Sequence, residues 1–177
     1  MLVLRPADGN ETTVAWKMAM ENTDTPTALI LSRQGIKTVT TYETAQGATK
    51  GAYVLQDCEG TPDIILLASG SEVSTLVDGA ELLAKDGIKS RVVSVPSEGL
   101  FRTQSAEYQA EVLPAGVKKF GLTAGLPVTL EGLVGMDGKV FGLGSFGFSA
   151  PAGVLDKKLG YTGENVYKQV KEILVTV

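Results

Sequence analysis

Apolar and polar blocks alternate regularly along this chain and read as strands and helices in turn. Leu2–Leu4 is a short apolar run, Arg5-Pro6-Ala7-Asp8-Gly9-Asn10 reads as a turn, and Glu11–Glu21 reads as a helix. Thr27–Leu31 is a second β-prone run, stopped by Ser32-Arg33-Gln34. Strand, helix and strand make one βαβ unit, which cannot cover both faces of a parallel sheet by itself. Its neighbours are expected upstream of Met1 or on another packing surface.

Residues 35–61 change character. Gly35–Thr41 and Gly47–Gly51 are small and polar with no long helical period, so this stretch reads as a connector, with Tyr53–Gln56 as a short strand at its end. From Pro62 the pattern is regular. Ile64–Ala68 is continuously apolar, as a buried parallel strand must be. Ser69 and Glu72 have capping-box spacing, Ser71 competes as N-cap, and Val73, Leu76, Val77, Ala80, Leu83 and Ala84 form the stripe of the following helix. Asp86-Gly87 ends that helix, and the strand Arg91–Val95 stops at Pro96. A polar helix over Ser105–Leu113, strands over Lys118–Thr123 and Lys139–Leu143, and a short helix over Thr129–Val134 follow. Helices over Ala150–Leu159 and Glu164–Leu174 close the chain, the last with Val166, Val170, Ile173 and Leu174 on one face. This order predicts an α/β three-layer sandwich with a mostly parallel sheet, preceded by a βαβ remnant of another α/β domain. The divisions are 1–34 for the remnant, 35–61 for the connector and first edge strand, and 62–177 for the main domain.

Charge and composition narrow the function classes. A net charge of -4 with scattered Lys and Arg offers no phosphate track for nucleic acid. No apolar run reaches the roughly 18 to 20 residues of a membrane span, and no basic-then-apolar leader follows Met1, so a cytoplasmic location with no membrane partner is expected. Cys58 is alone, between acids that would raise a thiol pKa, and reads as inert. The chain has no histidine, which removes Ser-His-Asp and Cys-His chemistry and the commonest metal ligand.

Among the remaining side chains Arg33 stands out. It follows the carboxyl end of a predicted parallel strand, where open α/β sheets place ligand crevices, and its planar fork of donors suits phosphate. A salt bridge or a helix C-terminal contact is the plain alternative. Asp8, three residues before Glu11, fits a helix cap better than a metal site, because capping needs only local spacing while a metal needs converging ligands. Ser69-Gly70-Ser71 reads as tight strand-to-helix packing rather than a phosphate cradle. Trp16 and Met20, an i, i+4 pair, read as core or domain-interface filling. The Gly/Ser-rich segment Ser145–Pro151 lies at the same sheet edge as any crevice.

Arg5-Pro6-Ala7-Asp8-Gly9-Asn10-Glu11, the Ala15-Trp16-Lys17 helix and Thr27–Gln34 closely resemble the last βαβ segment of the transketolase pyrimidine-binding domain. Gly51–Leu55, Ala68–Val73, Arg91–Ser97 and Ser145–Pro151 resemble the transketolase C-terminal domain in order and spacing. Two departures stand out: Gly35 occupies the place of the family's usual Asn after Ser-Arg-Gln, and Gly121–Gly125 lacks the acid of the family's Glu-Ala-Gly. The resemblance implies two-carbon ketol transfer between sugar phosphates, with thiamine diphosphate and a divalent metal (Mg or Ca) in a homodimeric full enzyme. It implies that Arg33 binds substrate phosphate. The family's metal motif and histidines map onto nothing in this chain, so catalytic, cofactor-binding and metal-binding residues are expected to be absent and the chain alone to be inactive. A free-standing ligand-binding module and a non-catalytic subunit are the alternatives.

Overall fold

The computed structural model describes residues 1–175. Strand β1 (Leu2–Leu4) leads into α1 (Gly9–Glu21), and β2 (Thr27–Leu29) returns parallel to β1 with Leu4 opposite Leu29. Asp8 is the N-cap of α1. Its Oδ1 accepts from the Asn10 and Glu11 amides, each at 3.1 Å, so the helix begins two residues before the predicted start. The ladder ends where the Ile30 amide donates to the Leu4 carbonyl, which leaves β2 two residues shorter than the apolar run.

Part of the stretch expected to be irregular is helical. It contains α2 (Tyr42–Ala45) and a 3-10 turn over Gln46–Lys50, whose Ala45 and Ala48 pack with Tyr53 against Val14 of α1. A capping box links Thr41 and Thr44, with Thr at the position where Glu or Gln is usual, which hides this helix from the ordinary sequence rule.

The main sheet runs in the order β3-β5-β4-β6-β7. Its strands are β3 (Tyr53–Gln56), β4 (Ile64–Ala68), β5 (Ser90–Ser94), β6 (Lys119–Leu122) and β7 (Lys139–Phe141). The pairings are parallel except that of β3, which lies antiparallel to β5 on one edge. Every residue of β4 is buried, and its side chains divide between two cores. Ile64, Leu66 and Ala68 meet α3 (Glu72–Lys85) and α8 (Gly163–Val175). Ile65 and Leu67 face the other layer, with Phe101 of α4 (Glu98–Arg102), Val112 of α5 (Ala106–Val112), and Leu130 and Val134 of α6 (Val128–Val134). The short α7 (Ala152–Leu159) buries none of its residues.

This is the mostly parallel three-layer α/β sandwich that the pattern predicts. The α3 stripe is buried through Val73, Leu76, Val77, Ala80 and Leu83, while Ala84 turns to solvent. Leu76, Val77 and Leu83 each contribute about 1.5 to 3 kcal/mol by leaving water. Helices α3 and α8 touch at Gly79, where a Cβ would stand only 2.5 Å from Val166. Helix α4 has no counterpart in the predicted elements because five residues are too few to show a period. Trp16 and Met20 do not fill the core: they are 52% and 77% exposed on the outer face of α1.

Candidate functional site

Two loops singled out by sequence meet at the sheet's carboxyl edge. Arg33 lies four residues beyond the end of β2, exposed, and among the described residues it makes no hydrogen bond or ion pair. Its loop is held at its far end. Asp8 Oδ2 accepts from the Val39 and Thr40 amides, each at 2.9 Å, and Asn10 Nδ2 donates to the Thr40 carbonyl at 2.7 Å. Lys37 pairs with Asp78 of α3 at 2.8 Å. Beside this loop is a cavity of about 340 Å³, lined by Gln34 and Lys37 on one side, Ser71 and Thr75 on another, and Gly147 and Phe148 of the Ser145–Pro151 segment. That segment is irregular and open, with Phe146 fully presented to solvent.

Asp8 and Glu11 come together in a second place, between α1 and the main sheet. Glu11 is wholly buried, and its carboxylate accepts from three donors: the Ala7 amide at 2.7 Å, the Tyr53 hydroxyl at 2.7 Å and the Ser94 hydroxyl at 2.6 Å. Burial holds the Glu11 carboxyl above its ordinary range, reinforced by nearby Asp8 and opposed by these donors. Burial and the neighbouring carboxylate also push the Tyr53 hydroxyl up. For Asp8 burial acts upward too, but the Thr40 hydroxyl and the Val39, Thr40 and Glu11 amides outweigh it and hold the group below its ordinary range. Sequence spacing showed the Asp8 cap. It gave no sign of the Glu11 partners, which lie 42 and 83 residues away.

Arg5 goes elsewhere, into the turn after β4. Its guanidinium donates to the Ser69 carbonyl at 2.8 Å and the Ser69 hydroxyl at 3.1 Å, and pairs with Glu72 at 2.5 Å. The Ser69-Gly70-Ser71 turn therefore receives a cation from the same chain. Ser71, the competing candidate, is the N-cap of α3, but its hydroxyl donates to Glu72 and accepts no amide; the Ser69 hydroxyl accepts from Arg5, so the Ser69–Glu72 capping box does not form.

The guanidinium of Arg33 lies open to solvent, and the acidic side chains around it do not converge. Among the described residues no group of three His, Cys, Asp or Glu side chains converges to hold an ion. Asp8 is taken up by amides and the Thr40 hydroxyl, and Glu72 by Arg5. The donor set thus does not fit a metal-bound diphosphate. No helix among the described residues is long and apolar enough to cross a membrane.

Comparison with known proteins gives this geometry a family. The model of the "Transketolase-like TK C-terminal domain" matches residues 51–162. Transketolase 1 of Vibrio cholerae is 46% identical over 176 residues, 98% of this chain and 26% of that protein. Transketolase from Leishmania mexicana superposes with a TM-score of 0.89 at 39% identity, over 97% of this chain and 25% of that one. A crystal structure of Pichia stipitis transketolase in complex with sedoheptulose-7-phosphate gives 0.84 at 37% identity, over 98% of this chain and 25% of that one. The chain thus spans about a quarter of the length of the relatives it matches. Matched along nearly all of its own length, it belongs to the transketolase family.

Proposed function

We propose that this chain works as the C-terminal portion of a transketolase and that Arg33 binds the phosphate of the sugar substrate. The whole protein then transfers a two-carbon ketol unit from a ketose phosphate to an aldose phosphate in the pentose phosphate pathway, as a cytoplasmic homodimer. Thiamine diphosphate with Mg²⁺ or Ca²⁺ supplies the nucleophilic chemistry from domains outside this stretch. Residues 1–34 then end the pyrimidine-binding domain, 35–61 connect and add the edge strand, and 62–177 form the C-terminal domain.

The observation that carries this reading is Arg33 itself. A guanidinium that is exposed, free of partners among the described residues and placed past the carboxyl end of a parallel strand retains its donors for a ligand. In the complete enzyme, Arg33→Ala should raise KM for phosphorylated donors and acceptors by roughly 10- to 100-fold, the equivalent of about 1.5 to 3 kcal/mol for a charge-assisted contact. Cofactor affinity should stay unchanged. Equal KM values in wild type and variant would remove Arg33 from the site.

Isolated, the chain should show no ketol transfer when supplied with thiamine diphosphate, Mg²⁺ and sugar phosphates. Turnover that survives removal of host transketolase would overturn its assignment as a silent portion. A second reading, a non-catalytic subunit of a separate catalytic chain, draws on the exposed Trp16 and Met20. It predicts transfer when this chain is mixed with a chain bearing the cofactor domains. The first reading predicts none until the two are one polypeptide.

A further inference from the structure

The main sheet has a topological switch point. From β4 the chain crosses to β5 on one side, then returns to β6 on the other, so the connections leaving β4 and β6 part at their carboxyl ends. Open α/β sheets hold their ligands in the crevice that this parting leaves. Here the crevice already contains a charged group. The Arg5 guanidinium donates to the carbonyl and hydroxyl of Ser69, the first residue after β4, and forms an ion pair with the Glu72 carboxylate in the first turn of α3.

The walls match a guanidinium in several independent ways. Gly70, with φ +67°, turns the backbone so that nothing projects at Arg5; a Cβ there would stand 2.9 Å from Cζ and Nε. Glu72 keeps only 7% of its side chain exposed and supplies the negative charge that pairs with Arg5, which keeps 24%. The backbone is joined at the same point: the Arg5 amide donates to the Pro96 carbonyl at 2.8 Å, and its carbonyl accepts from the Gly70 amide at 3.0 Å. The Glu72 carboxylate offsets the partial positive charge of the α3 N-terminus and gives the place an acceptor suited to a cation with several donors.

We propose that the switch-point crevice is a guanidinium site whose resident ligand is Arg5 of this same chain. The position that related architectures give to a soluble ligand is used here to fasten β1, and with it the β1–α1–β2 unit, to the main sheet. Emptied of Arg5, the site takes a small soluble guanidinium. This assignment concerns Ser69, Gly70 and Glu72 alone and is independent of the role given to Arg33.

Chemical rescue tests it. Arg5→Ala in the intact chain should lower Tm by about 5 °C. Methylguanidinium at millimolar concentration should restore part of that loss in a saturable way, whereas tetramethylammonium at equal ionic strength should not. Arg5→Ala combined with Glu72→Gln should lose the rescue. An unchanged Tm in Arg5→Ala, or equal responses to the two cations, would overturn the proposal. Should Arg5→Ala not fold, Glu72→Gln in the otherwise unaltered chain gives the answer: it should free the β1–α1–β2 unit to early protease cleavage within residues 30–41. Cleavage at the wild-type rate would sink the idea.

Discussion

The five-stranded sheet and the two-stranded pair are both mostly parallel, yet they are held by different forces. Strand β4 is buried on both faces by apolar side chains from α3, α8, α5 and α6. Strand β2 has no fully buried residue, and β1 has one, Leu4. Apart from a small apolar contact of Val14 with Ala45, Ala48 and Tyr53 and of Ala7 with the main core, what fixes the smaller unit is polar: Arg5 on Ser69 and Glu72, Asp8 on the 39–40 amides, and Glu11 on Tyr53 and Ser94. Apolar burial is non-directional and insensitive to pH, whereas charged anchors are specific and titrate. The two regions should therefore fail differently.

The largest effect belongs to the apolar core. Leu83→Ala opens a cavity between α3 and the sheet and should cost about 2 to 5 kcal/mol in urea unfolding. Its cost should be the same at mildly acidic and neutral pH, since no titrating group contacts the deleted atoms through a hydrogen bond. A cost that varies with pH would break the division between the two regions.

That division also explains which parts of the molecule were legible in the sequence. Strand β4 and the α3 stripe announce themselves because burial demands apolar residues at fixed local spacing. The Asp8 cap is legible for the same reason, as its amide partners are two and three residues away. Glu11 is not: a buried carboxylate looks like an ordinary helix-surface acid until Tyr53 and Ser94 are seen around it. Arg5 gives no local signal either, because its partners lie on the far side of the connector. Arg33 was legible only through the Ser-Arg-Gln motif and its place after a strand; what keeps its loop in place, Asp8 and Asn10 on Thr40, involves contacts about 30 residues apart that no spacing rule contains. Trp16 misleads in the opposite direction, since helical pairing with Met20 resembles core packing whether or not anything covers it.

A smaller effect sharpens the contrast at the polar joint. Glu11 has a carboxyl raised above its ordinary 4.5 by burial, so its contribution is fully present below that value and is lost as pH rises through the raised pKa. Asp8 runs the other way. Held below its ordinary 3.8 despite burial, through the Thr40 hydroxyl and surrounding amides, it contributes stability above 3.8 that is lost as pH falls through its depressed pKa. Two carboxylates at the start of one helix thus give slopes of opposite sign in adjacent pH windows. Glu11→Gln cannot titrate and should flatten the decline above 4.5, while the acid limb due to Asp8 persists. Stability measured from about pH 3 to 8 for both proteins would show this. A variant curve parallel to wild type would mean that Glu11 does not set the slope.

The smallest expected effect is the most discriminating one. Arg33 touches neither the apolar core nor the polar joint, so Arg33→Ala should leave stability within about 0.5 kcal/mol of wild type at every pH. A residue that holds a fold together is costly to remove, while one retained for a ligand costs little until the ligand arrives. Arg33 has an exposed guanidinium with no partner among the described residues and a loop fixed from behind by Asp8, which is the second kind of residue. Destabilisation by 1 kcal/mol or more would show that the guanidinium has structural work inside this chain and would weaken its claim on a substrate phosphate. Unaltered stability together with a raised KM in the complete enzyme would separate the two roles, because a loosened fold cannot produce that pair of results.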